Sequence, residues 1–281
     1  MRGLQNYFLV AAVLLATPVM AQPASDQAIA AFVDSHSAVT RLNKIARWEE
    51  GVCPSVTGLP PAFTKFITKR VRDLAASVGG PVDPSETCKS NITIVFTTKP
   101  QALLDGMREK EPVLLGYFDS SSQADRMAQV TRVIQAWHAT QTVDVRGKTL
   151  IDSRNAGQGN ALMANATSST GTRMGDGLHS SYYHAVIVAN PDKLADYEIG
   201  TLADHIAMLA LAQPAPEEAC PDLPSILDMT NANCRKDAPV KALTPADMGY
   251  LRGLYQADPG ANLRAQKDGI AFHVKEALAG R

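Results

Sequence analysis

The chain opens on an unbroken apolar run of nine residues, 8–16, and no later stretch repeats it. Beyond residue 21 the apolar positions fall into shorter groups. Residues 22–45 are mixed and polar, and their alternation selects no element. Ile45-Ala46-Arg47-Trp48 and Val56-Thr57-Gly58-Leu59 predict one or two short strands. After Pro60-Pro61, apolar residues recur at helical spacing as Phe63, Phe66, Ile67, Val71, Leu74 and Val78. Gly79-Gly80-Pro81 stops that helix. Residues 91–96 are β-branched and apolar and predict a buried strand. Strand, helix and strand over residues 55–97 form a βαβ unit. Pro100 opens a short helix through Met107.

Ser122-Gln123-Ala124-Asp125 has capping-box spacing, and Met127, Val130, Ile134 and Trp137 follow as an apolar stripe. Residues 153–181 are rich in Gly, Ser, Asn and Thr and read as a flexible loop insertion rather than a functional flap. Residues 182–189 predict a strand, ended by Asn190-Pro191-Asp192. Residues 201–213 predict a helix whose apolar face holds Leu202, Ile206, Leu209 and Leu211. There is no internal repeat. The pattern predicts one α+β domain over residues 22–281, with a mixed sheet in the N-terminal half and a mainly helical C-terminal half.

The first 21 residues read as a secretory signal peptide. Arg2 is basic, the apolar run follows, and Val19 and Ala21 are small residues placed for cleavage after Ala21. Nine apolar residues are too few to span a bilayer, which needs about 20. No later stretch approaches a membrane span. The expectation is a periplasmic or secreted protein of 260 residues. The full chain has 27 basic and 28 acidic residues, and losing Arg2 leaves a net charge near −2. So balanced a charge gives no field for phosphate backbones, which excludes nucleic acid as the expected partner. Export permits disulfides, and four cysteines allow three pairings. The local pairs Cys53–Cys88 and Cys220–Cys234 are favoured, because each brackets one turn-rich stretch. A zinc site is disfavoured, since no C-x-x-C pair or close histidine accompanies them.

Motifs of common chemistries are missing: there is no G-x-S-x-G, no P-loop, no G-x-G-x-x-G and no H-E-x-x-H. The order of elements in the last third is more informative. A strand (182–189) precedes the helix T-L-A-D-H-I-A-M-L-A-L-A-Q, then Ser225-Ile226-Leu227, then Leu243-Thr244-Pro245-Ala246-Asp247, then Tyr250-Leu251-Arg252-Gly253-Leu254-Tyr255. This series resembles the catalytic half of metzincin-like zincin metallopeptidases. Those have an edge strand, a helix carrying H-E-x-x-H-x-x-G-x-x-H, an S-I-M turn and a final L-T-x-x-D helix. Cys53-Pro54, Gly58-Leu59-Pro60, Cys88 before Asn91, and Leu202-Ala203-Asp204 also resemble a secreted proteobacterial family with a degenerate zinc motif.

The resemblance implies a zincin-like fold without its metal. With Ala210 at the motif glycine, the ligand positions fall on Ala203, Ala207 and Gln213, and the general-base position on Asp204. Alanine donates no lone pair, so no metal or other cofactor is expected. Asp204 also has the spacing of an N-terminal cap with Thr201, and Asp247 that of a cap with Thr244. The expectation is a pseudoenzyme that binds a peptide or an envelope protein along the strand of Tyr182 and His184, taken as a sheet edge. The alternative is a hydrolase with metal-independent acid–base chemistry, for which Asp204, His205, His184 and Glu198 are candidates. A purely structural role in the envelope is a third reading.

Overall fold

The computed structural model describes residues 24–85, 87–153, 177–216, 220–231, 234 and 239–280. The expected signal peptide and most of the expected loop insertion (154–176) lie outside the described residues. The fold is a mixed α/β arrangement with a five-stranded mixed sheet and seven α-helices among the described residues. The strands are β1 (Pro54–Thr57), β2 (Ile92–Phe96), β3 (Ile134–Asp144), β4 (Thr149–Ile151) and β5 (Leu178–Ala189), in the spatial order β1-β2-β5-β3-β4. β1, β2 and β5 are parallel; β3 runs antiparallel to β5 and to β4.

The helices are α1 (Asp26–His36), α2 (Pro61–Ser77), α3 (Pro100–Lys110), α4 (Ser121–Met127), α5 (Ile199–Leu211), α6 (Pro245–Gln256) and α7 (Leu263–Leu278). The main core lies on one face of the sheet, where Ile92, Ile94, Ala185 and Ile187 meet α2 and the fully apolar side of α5. A smaller core lies on the opposite face, where Trp137, Val186 and Val188 meet Leu104, Leu115 and Ala128. The βαβ unit is therefore real: β1 and β2 pair in parallel across α2. Gly58 closes the turn after β1 with φ 85°, and a Cβ there would sit 1.9 Å from the Phe96 carbonyl oxygen.

Several readings of the sequence need correction. Residues 134–144 form a strand, not the continuation of an apolar helical stripe. Met127 and Val130 do pack near Trp137, but across the chain reversal that follows α4. The cap of α4 is Ser120, which accepts from the Gln123 amide, rather than Ser122. Residues 26–36, which showed no usable alternation, form α1, with Ala28, Ile29, Phe32, Val33 and His36 buried at helical spacing. Phe63 and Phe66 are not core residues but stay 42% and 46% exposed. β5 starts at Leu178, inside the expected loop.

The most consequential correction concerns β5. The sequence reading places it at a sheet edge, yet β3 pairs along one side, and on the other Ala185–Ala189 pair with β2 while the Tyr182 amide donates to Arg47 O. A peptide cannot add to a strand paired on both sides, because no free amides or carbonyls remain to receive it.

Both favoured disulfides are present, with Cα–Cα separations of 6.0 Å for Cys53–Cys88 and 5.5 Å for Cys220–Cys234. Among the described residues no helix is long and apolar enough to cross a membrane. The disulfides fit a secreted protein.

A candidate cleft beside an open strand edge

The five candidate site positions, Asp204, His205, His184, Glu198 and Tyr182, do not converge. Asp204 is not a cap: α5 starts at Ile199 with Glu198 at its N-cap, and the Thr201 hydroxyl donates to the Lys241 carbonyl. The Asp204 carboxylate instead accepts from Arg70 Nε of α2 (2.5 Å) and from the Leu243 amide (3.1 Å). Glu198 is exposed. His184 contacts Thr93 (3.1 Å) and lies on the sheet face opposite α5, since its strand neighbours Ala185 and Ile187 face the main core. Tyr182 is buried against Trp48 and His138, and its hydroxyl accepts from the Gln213 amide. The acid–base constellation of Asp204, His205, His184 and Glu198 therefore does not assemble. Of that set His205 lines a cavity whose described lining holds none of the other three.

That cavity is a cleft of about 660 Å³ between the N-terminal half of β3 and the C-terminal half of α5. Its far wall is the 3-10 turn Ile226–Thr230, which contributes Leu227, Asp228 and Thr230. Three cleft residues, His205, Leu209 and Ala215, stand at spacings of four and six. Those are the spacings of the three histidines in H-E-x-x-H-x-x-G-x-x-H. The resemblance puts the first two ligand positions on Ala203 and Ala207, but both are fully buried in the main core. Of these three only His205 carries a side chain with a lone pair. Leucine and alanine offer no lone pair, and the described residues hold no cluster of three or more His, Cys, Asp or Glu able to bind a metal.

The end of α5 is locked from three directions. An α-helix leaves its last carbonyls without intrahelical partners. Here His138 Nε2 donates to Leu209 O (2.8 Å), Trp48 Nε1 to Ala210 O (2.8 Å) and the Tyr255 hydroxyl to Leu211 O (3.0 Å). His138 Nδ1 is buried without a hydrogen-bond partner. Burial lowers the His138 pKa to about 4, so the ring is neutral at pH 7. His205 behaves alike. Burial, helped by the charge of Arg132, outweighs its bond to a carbonyl and lowers it to about 4.

The far wall is held by a buried polar network of which the sequence reading resolved only the Thr244–Asp247 cap. Thr244 and Asp247 form the expected capping box at the start of α6, and Ser225 forms another with Asp228. Ser225 Oγ also donates to Asp247 Oδ1 (2.7 Å) and lies 2.9 Å from His36 Nε2 of α1. Asp247 Oδ2 accepts from the amides of Ile226 and Thr244. Serine, histidine and aspartate are thus in contact, but not as a nucleophilic triad. There the imidazole sits between hydroxyl and carboxylate, whereas here the hydroxyl is central. Ser225 is also 0% exposed, so no substrate reaches it. The network positions the cleft wall.

The near wall is the feature the sequence did not reveal. In an antiparallel pair alternate residues turn their amide and carbonyl to one neighbour, and the residues between turn away. Val133 O accepts from Asn190 N, which sets Gln135, Trp137 and Ala139 toward β5 and Ile134, Ala136 and His138 toward the other side. On that other side β4 pairs only with Gln141–Val143. The next carbonyl along, Thr140 O, is taken by Asp152 N. Gly116, at φ 97°, comes so close to His138 O that a Cβ there would lie 2.8 Å from it. Among the described residues no strand pairs with the open side of Ile134 and Ala136. This open edge borders the cleft along residues 131–138. Comparison with protein-family models, with curated proteins and with solved structures finds no match to this chain.

Proposed function

We propose that this is a secreted, non-catalytic binding protein of the cell envelope that captures an extended peptide segment on the open edge of β3. The single observation that carries this reading is the pair of outward-facing, unpaired residues Ile134 and Ala136 beside a cleft of about 660 Å³. A peptide strand placed there would continue the row begun by β4, and its alternate side chains would enter the cleft. The reading also draws on the resemblance to zincin metallopeptidases. Three parallel strands, an antiparallel strand beside the cleft and a helix under it suit that arrangement, and the cleft helix keeps one of three ligand positions. The loss of the other two supports a binding role over hydrolysis, since no metal can be held there to acidify water. The expected signal peptide and the two disulfides support a periplasmic or extracellular setting.

The test is Ala136→Pro. Proline removes only an amide that points away from β5, which a sheet edge tolerates. The mature protein is titrated by calorimetry with a library of acetylated, amidated pentapeptides rich in Val, Thr and Ala. Binding to the parent chain and its loss of at least tenfold in the variant, with folding intact by circular dichroism, is the expected result. Equal binding by a folded variant contradicts the reading, as does stoichiometric zinc in the purified protein.

A further inference from the structure

The cleft floor carries one polar group whose hydrogen-bonding role is fixed by its surroundings. His205 Nδ1 lies 3.0 Å from the carbonyl oxygen of Ile226. A carbonyl only accepts, so Nδ1 must carry the proton. The buried ring is neutral at pH 7. A neutral imidazole with its proton on Nδ1 has a bare lone pair on Nε2. Among the described residues Nε2 has no hydrogen-bond partner, and unlike His138 Nδ1 it is not sealed from the cleft. A side chain only 2% exposed therefore presents a single unsatisfied acceptor to the cavity. The cleft lining mixes apolar side chains such as Leu209, Leu227 and Ile134 with polar ones such as Thr230, and among the described residues none of them is hydrogen-bonded to Nε2.

We infer that His205 sets the specificity of the cleft by accepting a hydrogen bond from an uncharged donor side chain, a hydroxyl or a carboxamide, of the bound segment. This rests on the peptide-binding reading above. A buried acceptor discriminates strongly, because a ligand lacking the donor leaves it unpaired in an apolar site. A lysine is disfavoured, since the Arg132 charge already opposes positive charge at this imidazole. A carboxylate is disfavoured because it brings lone pairs against a lone pair. The ring is held like a metal-ligating histidine, with its other nitrogen bound to a carbonyl. It stands alone, however, so the group it meets must come from the ligand.

The test has two arms on the full mature protein. Long-range proton–nitrogen NMR reads the tautomer directly: a protonated Nδ1 and bare Nε2 at pH 7 are expected, and the opposite tautomer or an imidazolium overturns the inference without any ligand. The second arm uses a positional-scanning set of acetylated, amidated pentapeptides in which each position in turn is Ser, Asn, Ala, Lys or Asp. One position is expected to prefer Ser or Asn about tenfold over Ala, and His205→Phe is expected to abolish that preference while His205→Gln restores part of it. Binding that ignores residue type, or a preference unchanged in folded His205→Phe, overturns the inference and leaves the peptide-binding reading standing. Binding of none of the peptides overturns both.

Discussion

His36, His138 and His205 are all buried and all lowered from 6.5 to about 4, chiefly by loss of solvation. Each is therefore neutral in the folded protein at a pH where the unfolded chain already binds a proton. Between pH 6.5 and 4 the unfolded state holds more protons, so stability falls as the pH falls through that window and levels below it. The ceiling is of order 3 kcal/mol per imidazole. Burial raises the Asp247 carboxyl, which acts in the opposite sense, but it is one group against three. The midpoint of thermal melts of the mature protein is expected to fall as the pH drops from 6.5 to 4; a flat profile contradicts the assignment. Asp204 yields a second prediction. Asp204→Ala leaves the Leu243 amide and Arg70 without their acceptor. It is expected to destabilise by about 1–3 kcal/mol in a urea titration while peptide affinity stays unchanged. A loss of affinity at equal stability would restore Asp204 as a site residue. None of this was legible in local spacing. His184 and His205 look alike in the sequence, and only the sheet face on which each falls separates them.

At the scale of elements, legibility followed burial pattern. α2, β2 and β5 were readable because their apolar residues follow one period, and the α6 cap because Thr244 and Asp247 act within one turn. β3 was not readable, for a physical reason. It is buried on both faces and much of its buried surface is polar. Thr140 and Thr142 both donate to Asp152 (2.7 and 2.8 Å), and Gln141 donates to Ser181. Polar residues that satisfy one another across strands erase the alternation that marks a half-buried strand. Without β3 the sequence reading puts the sheet edge on β5, one strand away from the open edge of the structure. α1 could have been found, since Ala28, Ile29, Phe32, Val33 and His36 recur at helical spacing. The edge itself has a built-in contrast. β1, the opposite edge, is four residues long and begins at Pro54, the kind of short edge that resists pairing. Ala136→Pro is accordingly expected to affect binding, whereas Val56→Pro on β1, where the amide also points away from the neighbouring strand, is expected to leave it unchanged.

Across the whole molecule, the cleft depends on parts far apart in the chain. Its near wall is β3, its floor α5, and its far wall a turn fixed by α1 and α6 through His36, Ser225 and Asp247. The Cys220–Cys234 bridge closes a loop around that turn, with a sequence separation of 14. Loops of this size stabilise by about 3 kcal/mol in the chain-entropy model. The double variant Cys220→Ser/Cys234→Ser is expected to melt several degrees lower and to bind peptide more weakly, because the wall bearing Leu227 is freed. Unchanged affinity would show that this wall takes no part. The disulfide pairing, the βαβ unit and the order of elements were legible because each is a local or sequential property. The cleft was not, because it exists only where β3, α5 and the turn meet.

The central claim, that a peptide adds to the open edge of β3, is tested most directly by amide hydrogen exchange resolved residue by residue on the mature protein. The amides of Ile134 and Ala136 are expected to exchange readily in the free protein and to slow at least tenfold when the pentapeptide library is saturating, while those of Gln135 and Trp137, already bonded to β5, change little. Slowing confined to other surfaces, or no change at Ile134 and Ala136 while peptide is bound, contradicts the claim.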